Sequence, residues 1–278
     1  MIRALLFAHV WCVAGLVFAA DPVKPPMRLY TLDCGRIDFE DEHVFSDTGD
    51  HDGEKGVMPV PCFLVKHGDN WVLWDAGLGD EIAKAQTGEI KVGLHFRVPV
   101  TLESQLADLG LKPDDVKYVG LSHLHADHSG NAALFPKATF LVSSIELAWA
   151  DALPTPDGVL PDRVAAVKRA SIRPVAGDLD VFGDGTVQMI STPGHTPGHH
   201  SLVLRLEKTG NIILTGDVAH FQENYDRGLV PLGNYSRAET LAAIGRVRGL
   251  AEHFHARVVI QHASDVFESM PKTPAYLE

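Results

Sequence analysis

Ser122-His123-Leu124-His125-Ala126-Asp127-His128-Ser129-Gly130-Asn131 places three histidines and an aspartate within six positions, 123–128. The apolar stretch Tyr118-Val119-Gly120-Leu121 before it reads as a short buried strand. In extended backbone alternate side chains share a face, so His123 and His125 can reach one point in space. Gly130 and Asn131 suit a tight turn, and that turn would bring Asp127 and His128 back beside the first two histidines. Three imidazoles and a carboxylate so close together suit one or two Zn²⁺-like ions of borderline softness.

With 15 histidines in the chain, one cluster alone decides nothing. Three later segments supply more. Thr192-Pro193-Gly194-His195-Thr196-Pro197-Gly198-His199 is a rigid Pro/Gly loop presenting His195. Thr215-Gly216-Asp217 follows the apolar run Ile212-Ile213-Leu214, and Val258-Val259-Ile260-Gln261-His262 ends another such run in a histidine. Each group stands at the end of a predicted strand, where sheet proteins gather their chemistry.

The elements that must position these groups follow from hydrophobic periodicity and turn residues. Met27 to Leu32 alternates as a first strand, and Cys62–Lys66 with Trp71–Trp74 forms a hairpin around Gly68-Asp69-Asn70. Thr101 to Leu109 reads as a helix with Thr101 as N-cap and Gly110 as stop. A strand over 138–143 precedes a helix from Ser144 to about Ala152. Residues 172–176, 179–182 and 186–191 read as strands, and 201–206 with 211–214 as a further hairpin. The longest helix runs from Ser236 to about His253, with Ser236 and Glu239 forming a capping box. The last strand spans 257–261. Arg36 to Met58, acidic and glycine-rich, reads as a long loop, as does the proline-rich stretch 153–162.

A chain of 278 residues with 45% hydrophobic content can bury one large core. Ligand-type residues spread from 123 to 262 need one cooperative unit, here 21–278. The formal charge of −12 disfavours nucleic-acid backbones and anionic membranes as partners, and is compatible with a neutral small substrate. Residues 1–20 read as a signal peptide: Arg3 is a minimal basic region, Ala4 to Ala19 is apolar, and Ala19-Ala20 offers a cleavage site. As a membrane anchor the run is on the short side. Cys12 lacks the small-residue context of a lipoprotein signal. The expectation is an exported protein, periplasmic or secreted, with no stable anchor after cleavage. Cys34 and Cys62 then meet an oxidising compartment, where two cysteines can pair. Beside predicted strands they read rather as small buried apolar residues.

The order His-x-His-x-Asp-His at 123–128, then His195, Asp217 and His262, resembles the metallo-β-lactamase superfamily over nearly the whole mature chain. Within it, three segments are similar to the N-acyl homoserine lactonases. They are Leu29-Tyr30-Thr31-Leu32-Asp33-Cys34-Gly35-Arg36, Val60-Pro61-Cys62-Phe63-Leu64-Val65 and Glu223-Asn224-Tyr225. The resemblance implies an α/β, four-layer αβ/βα sandwich of two mixed β-sheets flanked by helices, as monomer or homodimer. It implies two Zn²⁺ ions, or other divalent first-row ions. His123, His125 and His195 would hold the first, Asp127, His128 and His262 the second, with Asp217 bridging. Such a pair, about 3.5–4 Å apart, holds a hydroxide that attacks the lactone carbonyl and polarises that carbonyl in turn. By the same analogy Asp127 passes a proton to the departing ring oxygen.

Further roles rest on the same resemblance. Asp75 is read as the partner that orients a metal-bound imidazole rather than as a turn cap. His199 and His200 would support the His195 loop, His199 the more directly, with an exposed His200 as the alternative. Segment 36–58 would overhang the site as a lid, with Ile37, Phe39 and Phe45 lining an acyl-chain groove or packing only locally. Many of these lactonases carry a tyrosine three residues after the bridging aspartate; here that place is His220. A neutral imidazole can donate one hydrogen bond, so His220 is either a catalytic residue or a spectator beside Phe221. Two alternatives remain: another hydrolase on this scaffold, such as an organophosphate hydrolase, and a non-catalytic acyl-lactone-binding protein. A glyoxalase-II-type thioesterase is disfavoured by the lack of a basic C-terminal helical extension. A true β-lactamase is disfavoured by Asp217.

Overall fold

Runs such as Val72-Leu73-Trp74 and Ile212-Ile213-Leu214 are apolar at every position, which demands strands covered on both faces. The computed structural model, which describes residues 25–85, 89–91 and 93–278, contains two sheets of that kind. The first holds β1 (Met27–Phe39), β2 (Gly56–His67), β3 (Asn70–Trp74), β4 (Glu89–Lys91), β5 (Leu94–Arg97), β6 (Tyr118–Gly120), β7 (Thr139–Ser143) and β8 (Ser171–Val175), in the order β4-β5-β1-β2-β3-β6-β7-β8. The second holds β9 (Leu179–Asp180), β10 (Val187–Ser191), β11 (His200–Leu206), β12 (Gly210–Leu214) and β13 (Arg257–Val259), in the order β13-β12-β11-β10-β9. Both are mixed: β3, β6, β7 and β8 run parallel, as do β12 and β13, and the other pairs are antiparallel.

Alternation along each strand builds the layers. Val72 and Trp74 of β3 and Ile212 and Leu214 of β12 join Phe63, Met189 and Leu202 in the core between the sheets. Leu73 faces the other way, into a cluster with Leu102, Leu106, Val164 and Val167. These come from the helices α1 (Leu102–Asp108) and α4 (Pro161–Arg169); α2 (Ala126–Ser129) and α3 (Ser144–Ala150) lie between them in sequence. Ile213 likewise meets Ile244 and Val247 of α6 (Arg237–Phe254), which follows α5 (Gln222–Arg227) and precedes α7 (Ser264–Ser269). The arrangement is the α/β sandwich expected. Caps match the sequence too: Thr101 Oγ1 accepts the Ser104 N–H at 3.2 Å, and Ser236 Oγ the Glu239 N–H at 3.3 Å.

Several expectations need correction. β1 does not stop at Leu32. A bulge between Asp33 and Arg36, with Gly35 at φ +132°, shifts the register, and the strand resumes through Phe39. The loop therefore shrinks to residues 40–55, and the hairpin β4–β5 extends the sheet edge beyond β1. Helices α4, α5 and α7 were not expected. Pro161 at the first turn of α4 was a legible start signal inside a stretch read only as loop. Cys34 and Cys62 are not free thiols: they form a disulfide whose Cα atoms are 5.7 Å apart, brought together by β1–β2 pairing. Of the two readings of His200, exposure is the one that fails: the ring is buried, with Nδ1 2.8 Å from the carbonyl of Gly198 in the His195 loop and Nε2 2.8 Å from that of Gly177. The expected signal peptide, 1–20, lies outside the described residues, among which no helix is long and apolar enough to cross a membrane.

The disulfide closes a loop of sequence separation 28, and cross-links of that size stabilise by about 2–4 kcal/mol. Replacing both cysteines by serine is expected to lower the urea unfolding free energy by that amount, and reductant should have the same effect on the parent chain.

Candidate metal centre

Strand ends deliver the chemistry. β6 runs into Ser122 and His123, β10 into the loop of His195, β12 into Asp217, and β13 into His262, all at one edge of the sandwich. His125 caps α2, so the chain reverses inside that helical turn and presents Asp127 and His128 together. The expected turn falls at Gly130 and Asn131, directly after the helix, though Gly130 keeps right-handed helical dihedrals (φ −53°, ψ −48°) and needs no positive φ. Glycine is needed there for a different reason. Its N–H donates to the Gly77 carbonyl at 2.8 Å, and a Cβ would lie 2.2 Å from the Leu78 carbonyl carbon and 2.3 Å from Gly77 O.

Two ligand sets result. The ligand atoms of His123, His125 and His195 lie within 4.8 Å of one another, as do those of Asp127, His128, Asp217 and His262. In the first set, His125 Nδ1 is 3.0 Å from both His123 Nε2 and His195 Nε2. In the second, His262 Nε2 is 3.2 Å from His128 Nε2. Asp217 joins them. Its Oδ1 is 3.0 Å from His262 Nε2 and 3.3 Å from His128 Nε2, while Oδ2 is 3.3 Å from His195 Nε2. His220 also enters, with Nε2 3.2 Å from Asp217 Oδ2 and Nδ1 buried without a partner.

The far nitrogens fix the tautomers. His262 Nδ1 donates to the Pro59 carbonyl at 2.7 Å, and His195 Nδ1 to Asn234 Oδ1 at 2.8 Å. His128 Nδ1 donates to Asp75 Oδ2 at 2.9 Å, and His123 Nδ1 lies 3.0 Å from Ser122 Oγ. The near nitrogens of His123 and His195 are then bare lone pairs, both turned toward His125 Nδ1 in a buried space. That donor set fits divalent cations and little else. Of the residues expected to ligate, all seven converge here. Asp75 also accepts from Ser122 N–H, Ser122 Oγ and Gln261 Nε2. His199 holds the bridging aspartate: its Nε2 accepts the Asp217 N–H at 2.9 Å. Asn234 and the Pro59 carbonyl carried no sequence signal.

Burial dominates the rings of the first set and the neighbouring His199: it drives His123 and His195 well below the usual imidazole range, His125 to about 4 and His199 to about 3. For His128 and His262 burial is outweighed by carboxylates, Asp217 foremost, and both are raised. Burial would push Asp217 up, but His128, His262, His220 and His123 hold it well below the carboxylate range.

The centre opens into a cavity of about 740 Å³ lined by Ile37, Phe39, Phe45, Met58, Leu94 and Phe96, with Asp127, His195 and His220 at its floor. The loop 40–55 forms part of its wall, fixed from α5 and beyond. Asn224 Nδ2 donates to Phe45 O at 2.7 Å, Leu232 N–H to Val44 O at 2.8 Å, and Arg227 pairs with Asp50 at 2.6 Å. Phe45 packs on His220 and Phe221, with ring centroids 5.0 and 4.9 Å apart.

Residues 56–262 match the metallo-beta-lactamase superfamily domain. Over 270 residues the chain is 32% identical to the N-acyl homoserine lactonase AttM of Azorhizobium caulinodans, covering 91% of this chain and 99% of that one. AttM of Rhizobium radiobacter, also an N-acyl homoserine lactonase, is 32% identical over 263 residues, 90% of this chain and 98% of its own. Among solved structures, an N-acyl homoserine lactone hydrolase with N-hexanoyl-L-homoserine bound at its catalytic metal centre matches with a TM-score of 0.79. It covers 92% of this chain and 100% of that chain at 24% identity, a likeness of fold.

Gly130→Ala is expected to force backbone against backbone, costing about 1–3 kcal/mol in urea unfolding and lowering the bound-metal content of the purified protein. Titration gives a second prediction, for chelator-treated protein. An unfolded histidine titrates near 6.5. Below that pH the unfolded chain binds protons that His123, His125, His195 and His199 refuse, so stability falls on acidification toward 4. Above it, the stabilising protonation of His128 and His262 is lost as pH rises through their elevated values. Stability of the stripped protein should therefore peak near pH 6.5 in denaturant titrations run from pH 4 to 8.

Proposed function

The chain belongs to the metallo-β-lactamase superfamily, and from that premise we propose that it hydrolyses the ring ester of N-acyl homoserine lactones, with two divalent ions, zinc by ligand chemistry, in the centre just described. The observation that carries the reading is the bridging posture of Asp217, one oxygen toward each ligand set, at the foot of an apolar cavity. The relatives named as lactonases support the choice of substrate.

Bound ions supply an activated water and a Lewis acid for the carbonyl. The residues do the rest. Ile37, Phe39, Phe45 and Met58 receive the acyl chain and exclude water from it, which orients the lactone with its ester toward Asp217. Asp127, partly exposed and held ionised beside His128, takes up the proton that the attacking water gives up and passes it to the ring oxygen as the C–O bond breaks. Water's oxygen ends on the acyl carbon, and the new acid ionises, so each turnover releases one proton at neutral pH. His220 Nε2 faces the same point and can donate a hydrogen bond to the developing oxyanion. Export belongs to this reading as well, supported by the apolar residues 1–20 and by the Cys34–Cys62 disulfide.

The mature chain, metal-loaded, is expected to release protons from acyl homoserine lactones in a pH-indicator assay, faster than it cleaves phosphotriester, thioester or β-lactam. Intact lactone recovered at every acyl length would overturn the proposal; cleavage of phosphotriester alone would favour an organophosphate hydrolase. His220→Ala should lower kcat by about 10²–10³, the size of one lost oxyanion donor, with metal content unchanged.

A further inference from the structure

Glu146 is fully buried in the first turn of α3, away from the ligand atoms, and no step above uses it. Its Oε1 accepts the Leu124 N–H at 3.0 Å and its Oε2 the Gly198 N–H at 2.9 Å. Leu124 stands between the ligands His123 and His125. Gly198 closes the loop that bears His195 and precedes His199, which holds Asp217. The loop reaches α3 because residue 198 has no side chain: a Cβ there would lie 2.4 Å from Glu146 N and 2.6 Å from Glu146 Cβ. One carboxylate thus joins the two loops that carry all three rings of the first ligand set.

The second set is held from elsewhere. Ala76 N–H donates to the His128 carbonyl at 2.7 Å, Gly130 N–H to Gly77 O at 2.8 Å, and His128 Nδ1 to Asp75. We propose that Glu146 is a positioning residue that sets the spacing of His123, His125 and His195, and so governs the affinity of the first cation selectively over the second. The inference rests on the two-ion reading given above. A buried carboxylate is a costly strap, since burial pushes Glu146 up to about 7 against the N–H bonds that favour its charge. Glutamine would fit the space, but its NH₂ would face one of the two N–H donors and release that loop.

The test is Co²⁺ titration of stripped full-length protein, read by visible d–d absorption and by elemental analysis. In Glu146→Gln one of the two Co²⁺ sites is expected to weaken about 10–100-fold, with the other unchanged. Ser143→Ala is the structural control. Ser143 Oγ caps α3 through Ile145 N–H and Glu146 N–H, so this variant loosens the helix without cutting the strap, and it should keep both ions. Should Glu146→Gln fail to fold, Glu146→Asp, one methylene too short to span both N–H groups, carries the same readout. Two ions bound with parental affinity would overturn the inference, as would equal losses in Ser143→Ala. A parental chain that binds no Co²⁺ would overturn the two-ion reading, and this inference with it.

Discussion

Lone pairs without protons, crowded together out of reach of water, are what the structure must justify. His125 Nδ1 stands 3.0 Å from both His123 Nε2 and His195 Nε2, while Ser122 Oγ and Asn234 Oδ1 engage the far nitrogens of those two rings. An unpaired buried polar atom costs on the order of 1–3 kcal/mol, and here several point at one another. Only positive charge between them relieves the repulsion. Holding such a donor set costs folding free energy, which a bound cation would offset.

The sandwich can bear that cost because the ligands stand on its most rigid parts. Asp75 shows how. It follows β3 at φ +57°, a backbone state that asparagine and aspartate tolerate better than bulkier residues. From there one carboxylate gathers Ser122 after β6, His128 in α2 and Gln261 after β13. Three chain segments that converge only in the fold are thereby tied to a single buried group. Asp217 is fixed in the same manner from the other sheet, its N–H held by His199. Ligand geometry is thus set by backbone and buried hydrogen bonds, and little is left to side-chain rotamers.

The legible part of this design was local. Apolar runs ending in His123, Asp217 and His262, and the Pro/Gly loop around His195, announce themselves by spacing, and caps such as Thr101 and Ser236 mark helix starts. Illegible features share long sequence separation. Asn234 meets His195 across 39 residues, Glu146 meets Gly198 across 52, and Pro59 meets His262 across 203. The disulfide depended on a register that the bulge at 33–36 conceals. Gly130 does stand in a turn, but its small size also serves a close approach between backbones that no local pattern reveals.

The wall of the cavity obeys a different logic from its floor. Loop 40–55 has no ladder of its own, so its position depends on what grips it. The ion pairs Asp50–Arg227 and Asp47–Arg237 are conspicuous but partly exposed, and pairs of that kind contribute at most about 1 kcal/mol each. Asn224 is completely buried, spends its amide on Phe45 O and Leu229 O, and accepts the Phe221 N–H. Removing it would strand a buried carbonyl and loosen Phe45 from His220 in one stroke. The apolar wall and the ligand-bearing floor are therefore mechanically joined through Phe45, and changes in the loop that reshape the wall must keep this aromatic seat if the floor is to keep its geometry.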